Sequence, residues 1–202
     1  MPVSPIKREC ARYLSLAALP PESFFRRFAE LNHLGYISHF FFPSGMLFND
    51  AQFWWGDKYK RPALHEGVDI FFMQGFDGQT SSVSAQMLVP AFLSGRLVHF
   101  HRDFLGETIY IQHSEMRKNG AVLHTLYGHV HPERGPLHPF IINKGQELGI
   151  ISSPPESSAV PAHLHISCAW IQEDQPLSGL NWDAMAANSN TFFIDPLPFL
   201  LL

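Results

Sequence analysis

Three pairs of histidines with one residue between them mark this chain: His99 and His101, His129 and His131, and His163 and His165. In an extended strand, residues i and i+2 point to the same side, so each pair offers two imidazoles to one face. That geometry suits a metal ion and equally suits two side chains turned toward solvent. A second cluster separates these possibilities. In "HEGVD", His65 and Asp69 are four residues apart and share a strand face opposite Val68 and Ile70. Gly67 lies between them on that face and leaves space above the backbone for a metal. A neutral imidazole and a carboxylate are suitable zinc donors at about 2.0–2.2 Å. One further imidazole would complete a set of two histidines and one aspartate with an open fourth position. Catalytic zinc sites keep that opening, whereas structural ones are closed by four protein ligands, often cysteines.

The elements around these residues read in two parts. Over residues 1–45 the pattern predicts a helical hairpin. Ser4 and Pro5 start a helix carrying Ile6, Cys10, Leu14 and Ala17 on one face, and Pro20-Pro21 ends it. "PESFFRRFAELNHLG" follows, with Phe24, Phe25, Phe28 and Leu31 at helical period and Gly35 as its C-cap. We expect this hairpin to pack on the rest of the chain, although Asn32 and His33 at its end could reach a metal. Over residues 46–202 the texture changes to short alternating segments: "HEGVDIFFM", "GRLVHF", "ETIYIQHS", "AVLHTLYGHV" and "AHLHISCAW", separated by Gly, Pro, Asn and Ser clusters. Strands at this spacing without interleaved helices predict a mainly β, antiparallel domain. "NWDAMAA" predicts a short helix and "DPLPFL" a terminal strap.

Composition narrows the function. The chain has 202 residues, 46% of them hydrophobic, enough for a real core. A net charge of -4 without a basic stripe argues against nucleic acid as a partner. No stretch approaches the roughly 20 apolar residues that span a bilayer, and the short run after Lys7, Arg8 and Arg12 reads as a helix and not as an export signal. Cys10 and Cys168 read as buried thiols without a disulfide framework.

Taken in order, "HEGVD", "LYGHV" and "HLH" resemble the lysostaphin-type zinc endopeptidases, which cut peptide cross-links in bacterial cell walls. The resemblance extends to "VPAFLSGRLVHF", "GETIYIQHS", "INKGQELGIIS" and "IDPLPFLL", and runs from about residue 60 to 200. It implies an open antiparallel groove of the duplicated hybrid motif kind and one Zn²⁺ per chain. His65, Asp69 and His165 then become the ligands, and His163 and His129 the catalytic histidines. Tyr59, six residues before His65, matches an upstream tyrosine that such enzymes use near the oxyanion. His131, His99 and His101 match no family position and read as structural, and His113 and His124 have no assigned role. The implied partner is a peptidoglycan peptide or another peptide, and the implied location the cell envelope or outside the cell, with the cytoplasm as the alternative because no export signal is read.

The chain departs from the pattern in two loops. "HVHPERGPLHPF" is longer and richer in histidine than expected there, and "SSPPESSAVPAHLH" carries prolines where the family has glycines, giving a stiffer approach to the second pair. Three other readings are a catalytically silent relative that acts as a scaffold or activator of wall hydrolases, a β-rich metal-binding or sugar-binding module whose histidines coincide by chance, and an enzyme of the same kind whose substrate is a cellular peptide or protein.

Overall fold

The computed structural model describes residues 10–56, 60–132 and 140–202. In chain order its strands are β1 (Cys10–Ser15), β2 (Ile37–Pro43), β3 (Val68–Ile70), β4 (Phe72–Gly75), β5 (Thr80–Ser82), β6 (Leu88–Pro90) and β7 (Gly95–Arg102). They continue with β8 (Glu107–Lys118), β9 (Ala121–Pro132), β10 (Phe140–Ile142), β11 (Glu147–Ile151), β12 (Leu164–Gln172) and β13 (Thr191–Ile194). Three short helices accompany them: α1 (Phe24–Leu31), α2 (Trp182–Ala186) and α3 (Leu197–Leu200). The fold is mainly β and antiparallel, as the alternation predicts, and its sheets stay open.

A smaller sheet runs β1-β2-β4-β5, and a larger one runs β10-β7-β8-β9-β11-β6. Strand β12 lies beside the first part of β9 and is flanked on its other edge by β3 and β13. The long β8–β9 hairpin turns at Asn119 and Gly120, both at positive φ, which the short polar residue and the glycine tolerate.

The N-terminal expectation needs correction. The second predicted helix forms, whereas residues 10–15 of the first are strand β1 and residues 16–18 a single 3-10 turn; residues 4–9 lie outside the described residues. Cross-strand pairing overrides the helical spacing: Tyr13 stands opposite Phe41 and stacks on it at 5.5 Å, the kind of aromatic pair that stabilises a sheet. Strand β2 in turn pairs with β4, so a β ladder joins residues on either side of position 45. Helix α1 buries Phe24, Phe25 and Phe28 of the predicted stripe, while Leu31 is only half-buried. Phe25 and Phe28 meet Phe40 of β2 at 5.0 and 6.0 Å, and Phe24 meets Phe92 at 6.4 Å. These rings share one continuous core with Val68, Ile109 and Ile166, each contributing about 1.5–3 kcal/mol through burial. The helix ends at Asn32, short of Gly35. Asn32 ties to β6 by donating to Leu88 O and accepting from Leu88 N, at 2.9 and 2.7 Å, and so does not turn toward a metal.

Candidate metal centre

Register creates the site. On β12, His165 pairs with Asp69 of β3 on one side and with Gly128 of β9 on the other. Directly opposed residues on neighbouring strands present side chains to the same face, so Asp69 and His165 meet although 96 residues separate them. His65 reaches the same point from the extended segment before β3, which is held not by the sheet but by Asn49 and Asp50: Asn49 N donates to His65 O, and His65 N to Asp50 O. His165 Nδ1 lies 2.7 Å from Asp69 Oδ1, His65 Nε2 lies 3.2 Å from the same oxygen, and the two imidazole nitrogens are 3.3 Å apart. Among the described residues, this buried trio is the one cluster suited to a metal ion.

The surroundings decide which atoms face inward. His65 Nδ1 donates to Leu47 O at 3.0 Å, which leaves Nε2 as a bare lone pair. His165 Nε2 stands 2.8 Å from the Ser167 hydroxyl, which can accept its N–H and free Nδ1. Asp69 Oδ2 accepts from the Trp54 indole at 2.7 Å and from Arg61 Nη2 at 3.3 Å, so Oδ1 alone turns toward the imidazoles. Burial alone raises the Asp69 pKa, but the surrounding imidazoles of His65, His163 and His165 outweigh it and hold the carboxyl well below its ordinary range. A carboxylate oxygen and two imidazole lone pairs thus converge where only a cation or a shared proton relieves their repulsion. The donor set fits zinc. The space above Gly67 differs from expectation. A Cβ there would lie 2.3 Å from Ile166 O, 2.5 Å from Ser167 Oγ and 2.8 Å from His165 Nε2. Strand β12, and not a metal, occupies that room.

Two more imidazoles border the trio. His163 shares a face with His165, donates from Nδ1 to Pro161 O at 2.9 Å, and places Nε2 3.6 Å from Asp69 Oδ1. It packs between Trp54 and Trp55 at 5.3 and 5.8 Å. Burial pushes its pKa down to about 3, with the attraction of Asp69 only partly offsetting the loss of solvent, so it is neutral at pH 7. His129 faces His163 with ring centroids 4.7 Å apart. Its position comes from a break in β9: the strand pairs with β12 up to Gly128 and with β11 from Val130, and the β8 register shifts at the same point. His129 sits in this bulge at φ 63. Bulges re-aim side chains in this way, and a non-glycine residue at positive φ is uncommon enough to mark a site under local strain.

The trio, His129 and His163 open into one cleft of roughly 370 Å³, walled by Trp55, Phe104, Asn181 and Trp182 among others. His101, read as structural, also lines it, with Nδ1 2.9 Å from the Tyr110 hydroxyl. His131 is exposed on β9. His113 and His124 are buried and hydrogen-bonded within the sheet, the first to Ser94 O and Thr125, the second to Val122 O and Gln112. Tyr59 lies outside the described residues. Cys168 is a free buried thiol, and burial raises its pKa. The sequence reading missed Trp54 and Arg61, which orient Asp69, and Asp103, which contacts His129 through ring and backbone. The "DFLG" turn signal after "HFHR" identifies Asp103 as a turn residue but not its partner.

No family model matches the chain, and no curated protein matches it. Similar solved structures include lysostaphin in solution, at 21% identity and TM-score 0.43 over 72% of this chain and 47% of that one. LytU is similar at 16% identity and TM-score 0.43, with 77% and 84% covered. The catalytic domain of a mutant of the prophage-encoded protein EnpA from Enterococcus faecalis is similar at 16% identity and TM-score 0.38, with 66% and 93% covered. The chain spans about half the length of the lysostaphin structure. At these identities and TM-scores the likeness decides nothing about activity, for which the side chains themselves are the guide.

Proposed function

We propose that the protein is a zinc-dependent endopeptidase that hydrolyses peptide bonds in peptidoglycan stem peptides or cross-bridges. The observation that carries this reading is the convergence of His65, Asp69 and His165 on one point, with two further imidazoles, His129 and His163, at the rim of the same cleft. Those three residues would hold zinc, which would supply Lewis acidity to a peptide carbonyl and lower the pKa of water.

The chain's own residues do the rest. Trp54 and Arg61 hold Asp69 by its Oδ2 and keep Oδ1 turned inward. The walls formed by Trp55, Phe104 and Trp182 shield the reacting bond from bulk water, which strengthens every charge interaction within. Hydrolysis needs one proton taken from water as its oxygen adds to the carbonyl carbon, and one proton given to the nitrogen as the C–N bond breaks. Imidazoles suit this exchange near neutral pH, and His129 and His163 are the two that border the trio within the cleft. The products are a carboxylate and an amine.

The test is metal content by elemental mass spectrometry, beside digestion of purified muropeptides and glycine-rich peptides. Wild type is expected to hold about one zinc per chain and to cleave; Asp69→Ala is expected to hold none and to be inert. Zinc-loaded wild type without cleavage of any wall peptide would refute the substrate assignment. Absence of zinc even after loading would refute the enzyme reading and favour a silent activator of wall hydrolases.

A further inference from the structure

The hairpin turn between β7 and β8 carries a carboxylate whose every contact is accounted for. Asp103 Oδ1 accepts from Leu105 N at 2.9 Å, from Gly106 N at 2.8 Å and from His129 Nδ1 at 3.1 Å. Its Oδ2 accepts from the Thr108 hydroxyl at 2.8 Å and from His129 N at 2.9 Å. The first two bonds belong to the turn, which also closes through Asp103 N to Gly106 O. The contacts to His129 do not. They cross 26 residues and take hold of that histidine twice, by its ring and by the backbone N–H that the β9 bulge has freed from ladder pairing.

We infer that Asp103 is the positioning residue for His129, locking its imidazole in the tautomer with the proton on Nδ1 and Nε2 as a bare base facing the cleft. An ionised carboxylate has no proton to donate, so the Nδ1 side of the ring must supply the hydrogen of the 3.1 Å contact. Asp103 stays ionised. Burial alone raises its pKa, but the hydrogen bonds and charge of His129 and the backbone N–H groups of His129 and Leu105 pull it below the ordinary carboxylate range. Phe104, next in the turn, covers the other side of the ring at 4.7 Å. At His163 the arrangement differs: its Nδ1 meets a carbonyl oxygen, and the carboxylate near it, Asp69 Oδ1, lies 3.6 Å from Nε2. The two cleft imidazoles are therefore not equivalent. His129, backed by a carboxylate, is built to accept the proton of water and to carry the resulting charge, and His163 is left as the neutral partner. The kinetic consequence rests on the peptidase reading; the tautomer does not.

Two measurements test this in zinc-loaded protein. Long-range proton–nitrogen correlation spectra of ¹⁵N-histidine-labelled wild type, with His129 assigned by comparison with His129→Gln, are expected to show the Nδ1–H tautomer. Its hydrogen-bonded Nδ1 proton should be absent in Asp103→Ala and shifted in Asp103→Asn. An Nε2–H tautomer in wild type, or a His129 signal indifferent to both substitutions, would overturn the inference whether or not the protein cleaves anything. On a muropeptide that wild type cleaves, Asp103→Asn is expected to lower kcat by about 10²–10⁴-fold, the usual contribution of a positioned acid–base group, with KM changed only a few-fold and zinc content unchanged. Unchanged kcat overturns it as well. If no peptide is cleaved, the peptidase reading fails and the spectra alone decide on Asp103.

Discussion

The indole of Trp54 offers a direct test of how Asp69 is held. Its Nε1–H donates to Asp69 Oδ2 at 2.7 Å, and both side chains are almost wholly buried. A hydrogen bond to a charged group contributes about 1.5–3 kcal/mol. Trp54→Phe removes that bond while retaining an aromatic ring against Phe71, now 4.8 Å from the indole. The contact from Arg61 to the same oxygen is longer, at 3.3 Å, and remains. Without the indole, Asp69 is freer to rotate away from the imidazoles, and that ordering must be restored when zinc binds. At about 1.4 kcal/mol per factor of ten, zinc affinity should fall about 10- to 100-fold. Competition against a fluorescent chelator at pH 7 measures this, with the stability of both metal-free proteins followed by thermal melting. Phe71→Leu alters the packing around the same ring but spares the N–H, and should change affinity no more than about threefold. A folded Trp54→Phe protein with wild-type zinc affinity would refute the reasoning. An equal loss in Phe71→Leu would assign the effect to packing.

Other consequences follow from single contacts. Gly67→Ala forces a Cβ to within 2.3 Å of Ile166 O and 2.8 Å of His165 Nε2, so it should destabilise the fold by about 1–3 kcal/mol and abolish zinc binding; calorimetry and metal analysis read both. Phe25→Ala empties a fully buried ring position between α1 and β2. It should cost about 3–5 kcal/mol, a loss of roughly 6–20 °C in Tm for a chain of this size, and a smaller shift would mean that residues 24–43 add little to the common core. His124 is satisfied as a neutral ring, donating from Nδ1 to Val122 O and facing Gln112 from Nε2. Burial pushes its pKa from the ordinary 6.5 down to about 4. The unfolded chain therefore binds the extra proton within that window, so stability is complete above pH 6.5 and declines as pH falls toward 4, by about 3 kcal/mol in all. Urea unfolding of metal-free protein at pH 7 and pH 5 should show a clearly larger loss in wild type than in His124→Gln, and equal losses would remove His124 from the explanation.

Some of this molecule is determined by local sequence and some only by the assembled sheets. The alternation in "ETIYIQHS", "AVLHTLYGHV" and "AHLHISCAW" marks strands because period 2 is a property of each strand alone. His65 and Asp69 were legible as a candidate pair from their types and spacing, whereas His165 was singled out among six paired histidines by the family resemblance alone, and strand pairing sets it opposite Asp69. The N-terminal segment shows where local reading stops. The spacing of Cys10 and Leu14 fits a helix, yet the partner offered by Phe41 across the sheet makes residues 10–15 a strand. The groups that tune the site were hidden for a related reason. Trp54 reads as one more core aromatic until β3 brings Asp69 under its N–H, and Asp103 reads as a turn residue until the β9 bulge delivers His129 to it. Type and period are written in short windows of chain, but a hydrogen-bond partner 15 or 26 residues away is chosen by sheet register and by where a strand breaks, which only the folded whole decides.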